Sequence, residues 1–343
     1  MKVLVTGSEG YIGTILVDML LKKGMEVEGI DICYFSEGNL NNVTFPNYTL
    51  NKKDVRDITI DDLKGKNFDA IVSLAALSND PLGKLDSELT YDINYRASVN
   101  LAKLGKDLGI TRYVFASSCS LYGQGDSSAL TEESPSNPQT AYGKSKIMAE
   151  NALSELADDT FSPCYMRNAT AFGYSPRMRF DIVVNSLTAF AKVDNEIKIL
   201  GDGKPWRPLV HVNDICKAII TVLEAPRKKI HNQAFNVGSN TENYQIKTIA
   251  EKVKDAYTTC NISIAQKDAQ DTRDYNVSFK KINELLNYDI DWSLPKGIYQ
   301  LKTIYDAASI DKNIFESRLY TRLNQINYLL DNNLINKELR FNG

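Results

Sequence analysis

The chain has 343 residues, 43% apolar and 24% charged, enough for two domains or one large α/β domain with an appended lobe. Its net charge of −3 implies no basic surface, so nucleic acid is not an expected partner. Only two histidines, His211 and His231, and five scattered cysteines with no Cys-x-x-Cys pair argue against a metal centre or a Ser-His-Asp triad.

The thiols read as reduced groups in a cytoplasm. No apolar run reaches the ~18 residues of a membrane helix, and MKVLVTGSEG is too short in apolar residues for a signal peptide. In chain order, Val3 to Val5 reads as a strand and Ile12 to Lys22 as a helix. Val27 to Ile30 is a second strand, ending in Asp31. Asp54-Val55-Arg56-Asp57 follows a third, polar strand. Ala70 to Ala75 is the next strand, followed by a helix near Asp92 to Leu108. Tyr113 to Ser117, a helix near Ala141 to Leu156, and Cys164 to Met166 continue the alternation. Fully apolar strands alternating with helices imply a parallel sheet covered on both faces. From about Tyr174 the rhythm breaks into turn-rich, charged segments (SPRMRFD, GDGKPWRP). PLVHVNDICKAIITVLEA and AFNVGS then return as helix and strand material. The tail Phe315 to Arg340 is polar and helical in pattern, with Tyr320, Leu323, Ile326, Leu329 and Leu330 on one face, and is expected to pack against a lobe.

The stretch TGSEGYIG places Gly7, Gly10 and Gly13, with Tyr11 and Ile12 between them, from the end of the first strand into the first helix. Glycines allow a tight turn and close approach of a pyrophosphate, which the free N–H groups of the helix end receive. Asp31 closes the second strand, where a carboxylate accepts ribose hydroxyls and repels a 2′-phosphate. The combination points to NAD. For Asp54 and Val55 two readings stand, a solvated charged turn and an acid beside an adenine ring.

AYGKSK puts Tyr142 and Lys146 one turn apart on one helix face. A phenol is a weak base at neutral pH, and an adjacent ammonium stabilises the phenolate. Lys146 can also hold the nicotinamide ribose. Ser117 and Ser118 close the preceding strand, within reach of the same substrate oxygen.

TGSEGYIG, Asp31, DVRD, Leu74-Ala75-Ala76, Asn94, SSCSLYG and YGKSK together resemble the extended short-chain dehydrogenase/reductase family, the nucleotide-sugar epimerases and dehydratases. The resemblance extends to RNATAFG, GDGKPWRPLVHVNDI and FNVG. It implies an α/β fold, a Rossmann-type doubly wound parallel sheet of seven strands with a smaller C-terminal substrate-binding lobe. Residues 1–173, with 208–238 returning, would form the NAD-binding domain. Residues 174–207 and 239–343 would form the lobe and C-terminal helices. The resemblance also implies bound NAD, a nucleoside-diphosphate sugar substrate, and a homodimer joined through helices near Asp92–Leu108 and Ala141–Leu156. Ser118 takes the catalytic Ser/Thr position, Tyr142 is the base and Lys146 its partner. Leu74, Ala75, Ala76 and Asn94 fall on the cofactor side, Asn94 supporting the lysine.

The family oxidises a sugar carbon, usually C4. Its 4,6-dehydratases carry Thr-Asp-Glu where this chain has Ser118, Cys119 and Ser120, so the acid–base pair for dehydration is lacking. A C4 epimerase is the leading expectation, ahead of a 4-dehydrogenase or 4-keto reductase. A 4,6-dehydratase and a non-catalytic NAD-binding protein rank below these. Ser118, Ser120, Asn168 and Thr170 are expected on the substrate side. The family usually has Asn where Thr170 stands, which loosens the nucleotide assignment. Arg177, Arg179, Arg207 and Arg273 are candidate diphosphate ligands, since planar guanidinium groups hold phosphate bidentately. His211 reads as a packed histidine.

Overall fold

A computed structural model describes residues 1–41, 43–83, 85–123, 129–265 and 274–342. Its main sheet has seven parallel strands, β1 (Lys2–Thr6), β2 (Glu26–Asp31), β3 (Tyr48–Lys52), β4 (Ala70–Ser73), β5 (Arg112–Ser118), β6 (Ser162–Asn168) and, later in the chain, β10 (Gln233–Val237). Three further strands, β7 (Thr170–Phe172), β9 (Trp206–His211) and β11 (Asn243–Gln245), make a small second sheet. Strands β8 (Glu196–Leu200) and β12 (Asn261–Ala265) pair separately.

The main sheet runs β3-β2-β1-β4-β5-β6-β10. Strand order reverses between β1 and β4, and that switch point opens a crevice at the carboxyl ends of the strands. Side chains alternate across each strand. Val3 and Val5 therefore join Leu16, Val17 and Leu20 of the helix Gly13–Lys22 on one face, with Ile219 and Leu223 of Val212–Glu224. Leu4 points to the other face, with Leu101 of the helix Ala97–Asp107 and Leu153 of Ala141–Glu155. Both faces are buried, and each such side chain contributes roughly 1.5–3 kcal/mol on burial. A third core, around Phe172, Met178, Leu209, Ile249, Ile298 and Tyr305, fills the lobe.

The helix expected near Asp92–Leu108 is interrupted. A π-helical turn, Asp92–Arg96, precedes Ala97–Asp107 and inserts an extra residue beside Asn94. The tail also differs from expectation, because it straddles two cores. Tyr320 enters the lobe core, whereas Ile326 and Leu329 of the helix Arg322–Asp331 pack with Leu4 and Ile30 against the sheet. All five cysteines are free. Among the described residues no helix is long and apolar enough to cross a membrane.

His211 is packed at the junction of lobe and core. Its ring stacks on Trp292 at 4.3 Å, Asn213 N donates to Nδ1, and Nε2 sits 2.9 Å from Gln300 Oε1. Burial pushes the imidazole down to about 4. The unfolded chain, with its imidazole near 6.5, binds the proton that the folded chain refuses. The stabilisation is therefore fully present above that value and is lost as pH falls towards 4. The difference in unfolding free energy between the wild type and His211→Gln should shrink by about 3 kcal/mol from pH 7 to pH 4. A difference constant with pH would refute a neutral buried imidazole.

Candidate active site

A cavity of about 850 Å³ lies in the crevice at the switch point, a size suited to a small-molecule ligand. Gly7 turns out of β1 with φ of 73°. A Cβ there would lie 2.7 Å from Ala75 N, so only glycine lets this turn pack on the backbone that follows β4. A Cβ at Gly13 would strike Gly7 O at 2.2 Å, whereas one at Gly10 would meet only Gly7 O, at 3.1 Å. Gly10 thus leaves room on the cavity side at the start of the first helix. Glu9 N and Cys33 N donate to the two oxygens of Asp31, at 3.0 and 2.7 Å. Burial raises the Asp31 carboxyl above its usual range, and these two donors only partly oppose that. Tyr11, Ile12, Val55, Leu74, Ala75 and Ala76 line the same cavity, and the set fits a dinucleotide. Asp54 is no solvated turn: it is buried, lines the cavity and pairs with Arg56 at 2.6 Å and Arg340 at 3.2 Å.

Thr140 starts the next helix, its Oγ1 accepting from Gly143 N at 3.1 Å. This cap places Tyr142 and Lys146 on the cavity wall. Lys146 Nζ donates to Ala116 O at 2.7 Å and lies 4.7 Å from the centre of the Phe115 ring and 5.7 Å from that of Tyr142. Burial pushes this ammonium down to about 7, against the attraction of Glu150. Ser118 also lines the cavity, its Oγ accepting from Ser120 N at 3.2 Å. Ser120 lines it too, with an Oγ that has no hydrogen-bond partner among the described residues. Cys119 turns the other way: Sγ donates to Arg167 O at 3.1 Å, and burial pushes the thiol up, out of the range of a neutral-pH acid or base.

The sequence reading missed Glu150. It is buried one turn beyond Lys146, accepts from Ser117 Oγ, and takes Arg167 Nη2 at 2.6 Å and Nε at 3.1 Å. Its signal was present, since Tyr142, Lys146 and Glu150 repeat at one-turn spacing on one face.

Asn168, Thr170, Arg179 and Arg207 line the cavity. Asn168 Oδ1 is buried without a partner among the described residues, and Arg179 is tied to Asp181 and Ser78 Oγ. Two of the expected site residues stand behind the cavity wall. Arg177 does not line the cavity; its guanidinium is spent on Glu9 O, Glu9 Oε2, Phe35 O and Ser36 O, bracing the glycine turn from behind. Asn94 does not line it either. Its amide bonds Leu77 N, Leu77 O and Ser145 Oγ, which clamps the loop after β4 to the helix carrying Tyr142. Arg273 lies outside the described residues.

Residues 3–238 match the model of the NAD dependent epimerase/dehydratase family. The UDP-glucose 4-epimerase of Corynebacterium glutamicum is 28% identical over 74% of this chain and 80% of that protein. A solved UDP-glucose 4-epimerase of Thermotoga maritima, with UDP-glucose, superposes with a TM-score of 0.79 at 21% identity over 90% of this chain and 100% of the other. The UDP-glucuronic acid 4-epimerase of Bacillus cereus, solved with UDP-glucuronic acid and NAD, gives 0.78 at 22% identity over 90% of this chain and 99% of the other. Such low identities show the shared fold. With the glycine turn, Asp31 and the Ser118, Tyr142 and Lys146 set on one cavity, and with the family model covering most of the chain, this protein belongs to the NAD dependent epimerase/dehydratase family and is an enzyme whose cofactor is NAD.

Proposed function

We propose that the chain is a nucleotide-sugar C4 epimerase, oxidising the sugar at C4 and reducing it again on the opposite face. One observation carries this reading: Ser118 and Ser120 line the cavity that Tyr142 also lines, and among the described residues the turn Cys119–Tyr122 after β5 carries no carboxylate. The names of the relatives above agree with it.

In this mechanism Gly7, Gly10, Gly13 and Asp31 would hold the dinucleotide, which would supply reversible hydride exchange at C4. Tyr142 removes the proton from the C4 hydroxyl as the carbonyl forms, and returns it on reduction. Ser118, which lines the same cavity as Tyr142, supplies a hydroxyl to bridge the sugar oxygen and the phenol. The Lys146 ammonium, held by Ala116 O, favours the phenolate. Arg179, Arg207, Asn168 and Thr170 offer donors for the nucleoside diphosphate. Inversion needs the keto sugar to turn over before reduction.

The reading includes a homodimer through the outer faces of the helices Ala97–Asp107 and Ala141–Glu155, where Met148 is exposed. A cytoplasmic location suits five unpaired thiols.

Incubation with a panel of nucleoside-diphosphate sugars, read by mass and proton NMR, tests the reaction. The expected product has unchanged mass and an inverted C4. Loss of water would establish dehydration instead, and loss of two hydrogens a net dehydrogenase.

A further inference from the structure

The polar tail delivers another arginine to the cofactor half of the cleft. Arg322, the first residue of the helix Arg322–Asp331, is 2% exposed and lines the cavity. Its guanidinium sits 4.2 Å from the centre of the Phe35 ring, and Nη2 donates to Arg177 O at 3.3 Å. Nη1 is shut off from solvent and has no hydrogen-bond partner among the described residues. The neighbouring cations already have acids: Arg177 pairs with Glu9 and Arg179 with Asp181. Burial, with the like charges of Arg179 and Arg177, pushes the Arg322 guanidinium down to about 9 against the opposing pull of Asp181 and Asp31, neither of which forms an ion pair with it among the described residues. A desolvated charge beside like charges is costly unless an anion completes the cluster. A planar guanidinium suits phosphate oxygens.

Its surroundings decide which phosphate. Phe35 follows β2 and Asp31, and Arg177 braces Glu9 in the glycine turn. Arg322 therefore faces the dinucleotide half of the cleft. The tail is anchored there by Gln325 Nε2 donating to Tyr34 O at 3.0 Å and by Arg318 paired with Glu37 at 2.9 Å.

We propose that Arg322 is a cofactor-binding residue that donates from the C-terminal tail to a diphosphate oxygen of NAD, so that retention of the cofactor depends on docking of the tail. The coupling is reciprocal, and bound NAD holds the tail down in turn.

The test uses the full chain as wild type, Arg322→Met and Arg322→Lys. NAD released on denaturation of the wild type is read first, which checks the cofactor itself. Protein stripped of cofactor is then titrated separately with NAD and with UDP. The choice of UDP rests on the function proposed above, whereas the NAD arm does not. Arg322→Met should bind NAD roughly 10- to 100-fold more weakly, the scale of a lost charged hydrogen bond. Its UDP affinity should stay near that of the wild type. Arg322→Lys, which keeps the charge but loses the planar fork, should fall between and decides the matter if the methionine variant does not fold. Wild-type NAD affinity in the variant that folds overturns the proposal. So does weaker UDP binding with NAD unchanged, which would give the residue to the substrate diphosphate. Equal weakening of both ligands with a lowered melting temperature also overturns it, since that marks a purely structural arginine.

Discussion

Tyr142→Phe should lower nucleotide-sugar turnover by about 10²–10⁴-fold, the usual contribution of a positioned acid–base group. The ring that the Lys146 ammonium approaches to 5.7 Å is kept, and the glycine turn and Asp31 are untouched. Bound NAD should therefore be retained, and the unfolding midpoint should move little. The loss should fall mainly on kcat, because the phenol oxygen acts on a proton in flight. Turnover at the original rate would remove Tyr142 from the mechanism.

Glu150→Gln should act on stability and on the pH profile together. Glu150 and Arg167 form a buried ion pair, with nitrogen and oxygen 2.6 Å apart. Taking away one charge leaves the Arg167 guanidinium desolvated and unpaired, at a cost of about 3–5 kcal/mol. Urea denaturation should show it as a lower midpoint. The second effect passes through Lys146. Its ammonium is lost as pH rises through about 7, and the Glu150 charge is what resists that loss. Without the carboxylate the ammonium disappears at lower pH, so the alkaline limb of activity should move to lower pH. A purely structural glutamate would lower stability and leave the limb in place.

Much of this site could be read from local pattern. The glycines of TGSEGYIG sit between a strand and a helix, and steric demands act within a few residues, so the turn was legible. Tyr142 and Lys146 share a helix face by periodicity alone. Glu150 extends the same face, but its role depends on Arg167 from β6, a strand whose neighbour in the sheet no local pattern names. Arg177 and Arg179 show the limit most clearly. Two positions apart in SPRMRFD they look equivalent, yet Arg179 reaches the cavity while Arg177 braces the glycine turn. Asn94 was placed near the lysine by resemblance. Its amide bonds Leu77 and Ser145, the residue before Lys146, partners that no local pattern names.

The sequence by itself determined the sheet-and-helix order, the dinucleotide turn with its acid, the tyrosine–lysine pair, and that Cys119 and Ser120, not carboxylates, follow Ser118. These rest on periodicity, backbone sterics and side-chain chemistry, which act over one or two turns of chain. The tertiary structure alone decided which arginines face the cavity and that Cys119 faces away from it. It also decided that a tail residue, Arg322, enters the cofactor half of the cleft from 145 positions beyond Arg177. Such long-range placements follow from how three cores pack against one another, and hydrophobic burial is non-directional, so no single segment encodes them.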